Sequence, residues 1–269
     1  MVKRALCIGI NNYPGTDEDL SGCVNDAKAW AALLIDHFGF QRRSVRVLLD
    51  KEATHDVIVD GLRKLVRGAK HGDVLVFTHS SHGTYVADDD TDEPAYDEAI
   101  CPWDAKKRKR PLLDDELRKV LARVPAGVRL TVLLDSCFSG TGTRLAPSRD
   151  GKNRPTRRPR FLSPKKFGGR VINTRTARKR TPSTPESMMR EVLLAGCSDQ
   201  QESYDVDFEE GAHGALTYYA LRAIEAADYD ITYEQLHART KAALRKNGFA
   251  DQTPQLEGKA ANKKRKVFT

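Results

Sequence analysis

Nowhere does this 269-residue chain hold the run of about 20 apolar residues that a membrane-spanning helix needs, and Met1-Val-Lys-Arg leads at once into a strand pattern rather than a signal-peptide core. The expected setting is therefore cytoplasmic, without a membrane contact. Cysteine is scarce: five residues, an odd number with no Cys-x-x-Cys pair, which argues against a disulfide framework and a zinc site and for reduced thiols. Acid is almost missing from one region. Between Arg144 and Thr181 there are 14 Lys or Arg against the single acid Asp150, so this stretch carries +13 of a formal total of +8 and the remainder is −5. The positive charge thus belongs to one segment and not to the globular body, which argues against a nucleic-acid partner for the fold itself. From Arg144 to Glu186 large aliphatic residues are also nearly absent and five prolines precede residue 183, the composition of a mobile, solvated insert.

What is present is a set of short apolar runs alternating with helical patterns. Arg4 to Ile10, Ser44 to Leu49, Asp73 to His79, Leu130 to Leu134 and Glu191 to Ala195 have the length and β-branched content of buried strands. Between them, Cys23 to Phe38 places Ala27, Ala31, Leu34, Ile35 and Phe38 on one helical face and stops at Gly39, and Thr54 opens a second helix through about Gly68. Strand, helix, strand from Val45 to Phe77 is a βαβ unit with a right-handed crossover, so the fold class is α/β with a mostly parallel sheet. Helices also follow at Asp115 to Val124, Gly214 to Ala227 and Thr232 to Lys246.

Two of the strands end in chemistry. Leu130 to Leu134 runs into Asp135-Ser136-Cys137-Phe138-Ser139-Gly140, and Asp73 to His79 runs into Ser80-Ser81-His82-Gly83. Parallel strands send their carboxyl ends to one edge, where open α/β sheets place reactive groups. A thiol has an ordinary pKa near ~8.5 and needs a neighbouring base to become a nucleophile at neutral pH. Cys137 and His82 can supply that pair, and Gly83 lets its own amide join that of Cys137 as oxyanion donors. His79 belongs to the strand and reads as a packed residue. Cys7 and Cys197 read as structural cysteines.

Strand, His-Ser-Ser-His-Gly, then about fifty residues later strand, Asp-Ser-Cys-Phe-Ser-Gly, resembles the caspase-fold cysteine peptidases, and within them the metacaspases and their prokaryotic relatives. That resemblance implies a caspase-like sheet flanked by helices on both faces. It implies a large catalytic region over residues 1–143 and a small region of the same domain at 187–258; outside it lie the basic insert at 144–186 and a basic tail at 259–269, which reads as disordered from Lys263 to Lys266. Cys23-Val-Asn-Asp26-Ala, Ser80 and Asp135 match the family's lining for the side chain preceding the cut bond. Two carboxylates in one pocket require a cation between them, which implies cleavage after Arg or Lys. Asp97, Asp114 and Asp115 match positions that bind calcium in many metacaspases, but the family's remaining carboxylate falls on Arg144, which removes an oxygen ligand and adds repulsion; calcium is therefore an activator the residues leave open, and Asp114 and Asp115 equally suit the start of a helix. Asp251-Gln-Thr-Pro254 resembles the segment near the end of the family's domain.

The resulting expectation is a cysteine endopeptidase with a Cys137–His82 dyad that acts on proteins or peptides with a basic residue before the cut. With Arg157, Arg158, Lys166 and Arg180 displayed in its own insert, it is expected to process itself there. Two other readings stay open: a peptidase of the same fold that cuts after Asp, and a non-catalytic scaffold whose basic arm holds an anionic partner.

Overall fold

The computed structural model describes residues 1–88, 95–108, 110–138, 156–174, 176–179, 189–198 and 201–269. In chain order its elements are β1 (Lys3–Gly9), α1 (Cys23–Phe38), β2 (Val45–Leu49), α2 (His55–Val66), β3 (Val74–Ser80), β4 (Gly83–Asp88), β5 (Ala95–Ile100), α3 (Ala105–Arg108), β6 (Leu112–Leu113), α4 (Asp114–Leu121) and β7 (Arg129–Asp135). There follow β8 (Arg157–Pro159), β9 (Arg178–Lys179), β10 (Glu191–Ala195), β11 (Tyr204–Phe208), β12 (Gly211–Gly214), α5 (Ala215–Glu225), α6 (Tyr233–Lys246), β13 (Gln255–Glu257) and α7 (Ala260–Lys263).

The main sheet has six strands in the order β13-β10-β7-β3-β1-β2. All neighbours are parallel except β13, which closes the edge antiparallel to β10. Side chains alternate across this sheet, so each strand feeds two cores. On one face Leu6, Ile8, Leu75, Phe77 and Val132 pack with Ile58 and Leu62 of α2 and Leu117 and Val120 of α4. On the other, Ala5, Cys7, Val74, Val76 and Leu133 pack with Trp30 and Leu34 of α1, Leu216 and Ile224 of α5 and Leu236 of α6. Each fully buried large side chain of this kind is worth about 1.5–3 kcal/mol, which is why the apolar helical faces legible in the sequence dock on the sheet. Helix ends follow their chemistry too. Gly39 ends α1 at φ 68°, a left-handed conformation that glycine adopts freely, and the Thr232 hydroxyl accepts the Gln235 amide to cap α6. Asp114 and Asp115 open α4 as first-turn acids, while the cap position itself is Leu113.

Two expectations are corrected. The described residues 156–174 of the insert are not a solvated arm: Arg160 and Leu162 are fully buried, and β8 joins β11 and β12 in a three-stranded sheet beside the main one. The basic tail is likewise tied down. After α7 the chain buries Val267 and Phe268 against Trp30, Phe38 and Tyr233, and the Lys3 ammonium donates to the Phe268 carbonyl. The insert is anchored by the Arg160 ion pairs, the β8–β11 pairing and the buried Leu162 and Phe167, the tail by Val267 and Phe268.

Candidate active site

The strand register places the two reactive side chains. β3 and β7 pair in parallel with Ser80 opposite Asp135. His82 lies two residues beyond the first and Cys137 two beyond the second, so equal offsets from a matched pair bring them to one rim. The backbones there touch: a Cβ added at Gly83 would fall 1.9 Å from the Cys137 carbonyl oxygen, so only glycine fits.

His82 is buried, and its Nε2 lies 2.6 Å from the Glu18 carbonyl. A carbonyl can only accept, so that nitrogen carries the proton and Nδ1 is the bare one. Nδ1 is buried without a hydrogen-bond partner. Burial lowers the His82 pKa, against the Glu18 carbonyl, which raises it, so the ring is held neutral. Tyr13 braces it: the Tyr13 hydroxyl accepts the His82 amide at 3.0 Å and the rings stand 4.9 Å apart. The Cys137 thiol is engaged with Ser203, donating to its carbonyl at 3.1 Å and accepting from its amide. Cys197 lies against it. Hydrogen bonding to the Cys137 thiol, and then burial, raise the Cys197 pKa well above that of an ordinary thiol.

Asp26 on α1 and Asp135 at the end of β7 converge, with Cys23 and Ser80 buried beside them. Two further facts were not foreseen from the sequence. A third carboxylate, Asp205 of β11, completes the pocket, and the pocket is occupied by a residue of this chain, Arg160. Its guanidinium lies 2.8 Å from Asp26, 2.9 Å from Asp205 and 3.3 Å from Asp135, with no exposed surface. The carboxylates are themselves held. Asp26 accepts from the Gly214 amide and pairs with His213, Asp135 accepts from Ser203 and Thr217, and Asp205 accepts from the Ser21 and Gly22 amides. Burial opposes the charge on Arg160, but Cys23 and the three acids outweigh it and hold its pKa well above the ordinary value. Asp135 shows the converse, pushed up by burial against the pull of Arg160. Gly214 makes room, since a Cβ there would lie 2.2 Å from an Asp135 oxygen and 2.4 Å from the guanidinium.

The backbone of Arg160 is held as well. Its carbonyl accepts from the Gly83 amide at 2.9 Å and the Cys137 amide at 3.2 Å, and its own amide donates to the Ser203 carbonyl at 2.8 Å. The other basic residues singled out in the insert lie elsewhere. Arg157 reaches the Gly248 carbonyl and covers the Tyr204 ring, Arg158 reaches the Asp19 carbonyl, and Lys166 pairs with Asp17 and Glu18. Arg180 lies outside the described residues.

Sequence signals for these additions were present but faint. Tyr204-Asp205-Val206-Asp207-Phe208 alternates with period two, which turns Asp205 to the face opposite its apolar neighbours. Arg160 precedes Phe161-Leu162, a pair of large apolar residues in an otherwise polar stretch. The Glu18 contact to His82 and the Ser203 contacts to Cys137 run through the main chain and leave no residue-type signal.

Asp97 sits on β5 and Asp114 and Asp115 in the first turn of α4, with Arg118 3.4 Å from Asp114. Among the described residues no three His, Cys, Asp or Glu form a group that could hold a metal ion, and Arg144 lies outside them.

His79 is a packed residue, 1 % exposed, with only Nδ1 partnered, by Ser81 at 3.2 Å. Burial, and then the charge of Arg160, push its pKa down to about 3. Unfolded, it would take a proton near pH 6.5. Folded, it refuses one until about pH 3, so stability present above pH 6.5 is lost as pH falls through that window. The slope is at most about 1.4 kcal/mol per pH unit. The Tm of the protein is expected to drop between pH 6.5 and 4.5 more steeply than that of His79→Leu. Parallel Tm curves for the two would show that His79 is not the source.

A family model described as metacaspase, peptidase C14 domain, matches residues 3–146. Metacaspase-1 of Cryptococcus neoformans is 31% identical over 287 residues, covering 94% of this chain and 62% of its own length. Metacaspase-7 of Arabidopsis thaliana is 42% identical over 147 residues, covering 52% of this chain and 35% of its own length. The chain thus spans about a third of the length of the Arabidopsis relative and less than two thirds of that of the Cryptococcus one. Protein GSU0716 of Geobacter sulfurreducens superposes with a TM-score of 0.75 at 28% identity, covering 100% of this chain and 99% of its own. Caspase-1 from Spodoptera frugiperda superposes at 0.58 and 10% identity over 95% of this chain and 86% of its own, a likeness of fold alone. With the family model covering more than half of its residues, this chain belongs to the metacaspase family, peptidase C14, and has the caspase-like fold.

Proposed function

We propose that the chain is a cysteine endopeptidase that hydrolyses peptide bonds after arginine or lysine and processes itself within the basic insert. The observation that carries this reading is the pocket: three carboxylates, from α1, β7 and β11, surround one buried guanidinium. A buried site of net negative charge accepts a cation and rejects an aspartate, because a fourth carboxylate would be buried beside three of its own sign. A peptidase that cuts after Asp needs the opposite pocket.

In the proposed reaction His82 Nδ1, bare because Nε2 is committed to the Glu18 carbonyl, takes the Cys137 proton. The sulfur adds to the carbonyl carbon of the basic residue, and the amides of Gly83 and Cys137 hold the oxygen as it gains charge. His82 then protonates the departing amine, and water releases the acyl group from sulfur. Substrates are proteins or peptides with a basic residue before the cut. All five cysteines are buried free thiols, which supports a reducing cytoplasm as the compartment, and no described helix is long and apolar enough to cross a membrane.

A panel of fluorogenic peptides differing only at the residue before the reporter tests the specificity. Arg or Lys peptides are expected to exceed the Asp peptide in kcat/KM by about 10³-fold or more, the size of a desolvated charge reversal. Equal turnover of Arg and Asp peptides would refute it.

A further inference from the structure

We infer that Arg160–Phe161 is the bond this chain cuts in itself, and that until it is cut residues 157–162 keep the groove closed to other substrates. The inference rests on the peptidase reading above and adds the bond and its consequence. Five contacts set the register. Arg157 to Pro159 pair antiparallel with Tyr204 to Val206, as an extended peptide adds to a strand. The Arg160 amide donates to the Ser203 carbonyl, and the Arg160 carbonyl sits between the Gly83 and Cys137 amides. The guanidinium fills the acid pocket. Past the bond, the Leu162 amide donates to the Gly83 carbonyl at 2.9 Å. Gly83 thus grips the chain on both sides of one peptide bond. Among the described residues, no other Lys or Arg combines a side chain in the acid pocket with a carbonyl on those two amides. The Cys137 thiol donates to the Ser203 carbonyl that also holds the Arg160 amide, so thiol and Arg160 amide share one acceptor, and attack by this sulfur on the Arg160 carbonyl would be that of a tethered reactant.

The step balances within the chain and water. The Cys137 proton goes to His82 Nδ1, sulfur bonds to the Arg160 carbonyl carbon, and the carbon–nitrogen bond to Phe161 breaks as His82 protonates that nitrogen. Water then cleaves the thioester, leaving a carboxylate on Arg160, an amine on Phe161 and the free thiol. Leu162 is 1 % exposed in the core with Phe167, so the new amino terminus stays attached while the Arg160 end can leave the pocket.

The test is intact-mass measurement and amino-terminal sequencing of the purified full chain, incubated with and without calcium, alongside turnover of an added Arg peptide. The expected result is a fragment pair divided between Arg160 and Phe161, formed at a rate independent of protein concentration, with peptide turnover rising as the cut proceeds. Two variants separate cutting from blocking. Phe161→Pro keeps Arg160 and its ion pairs but replaces the departing N–H by a ring nitrogen; it is expected to stay uncut and to turn over added peptide at least about 100-fold more slowly than the cut wild type. Arg160→Gln removes the cation from the pocket and leaves its three acids, and is expected to stay uncut there yet turn over added peptide at least about tenfold faster than Phe161→Pro. If its circular dichroism shows it unfolded, Phe161→Pro still decides. First cleavage after Arg158, Lys166 or Arg180, or full peptide turnover by uncut Phe161→Pro, overturns the inference and leaves the peptidase reading standing. No Arg-peptide turnover by any form overturns both.

Discussion

Replacing Cys137 by alanine is expected to remove turnover of Arg-terminated peptides, lowering kcat/KM by about 10⁴-fold or more, and to leave the purified chain uncut. The size follows from the proposed mechanism. Without sulfur no acyl intermediate forms, and the remaining groups, two amides and an imidazole, can only orient and polarise, which by comparison with other hydrolases leaves a small residue of the acceleration. The substitution also removes the thiol's bonds to Ser203, but Arg160 retains the Gly83 amide, the Ser203 carbonyl and its three carboxylates. The folded, occupied state is therefore kept, and an unchanged Tm would separate lost chemistry from lost structure. Peptide hydrolysis by Cys137→Ala at more than about a hundredth of the wild-type rate would remove Cys137 as the nucleophile.

The second large effect belongs to the pocket. Asp26→Asn keeps the shape of a side chain that accepts from Gly214 and His213 and faces Arg160 at 2.8 Å, and removes only its charge. Breaking one arm of a buried ion pair costs about 3–5 kcal/mol, because the surviving charge is left desolvated. For an arginine substrate this is expected as a fall in kcat/KM of about 10²–10³-fold, while a peptide with leucine before the cut loses less than about tenfold. The uncut chain should also be less stable, since Arg160 then keeps two of its three acids. Equal losses for the arginine and leucine peptides would mean that Asp26 holds the fold and does not read the substrate.

Much of this was legible beforehand because it is local. Cys23 to Phe38 forms α1 with both boundaries as read from its apolar spacing and Gly39. Glu191 to Ala195 is β10, and the remaining expected strands of the main sheet shift by at most one residue at either end. Cys137, His82, Asp26 and Asp135 stand at strand and helix termini that the same patterns mark, and the fold brings all four around Arg160. The hairpins β4–β5 and β11–β12 were not read, since their short runs are interrupted by acids and glycines, and the period-two alternation of Tyr204 to Phe208 is only five residues long.

What the sequence determined alone was the α/β class, the two-faced sheet and the shared rim for His82 and Cys137, because period, caps and strand ends are properties of neighbours along the chain. The tertiary structure decided which basic residue of the insert enters the acid pocket, that Asp205 is the third acid there, and that the Glu18 carbonyl fixes the imidazole tautomer. Those are contacts between segments far apart along the chain, 184 residues in the case of Asp205 and the Ser21 amide that holds it. Fourteen cations lie within one stretch, each with the same local appearance. Only the register of β8 on β11 and the two amides of Gly83 and Cys137 distinguish Arg160 from the rest.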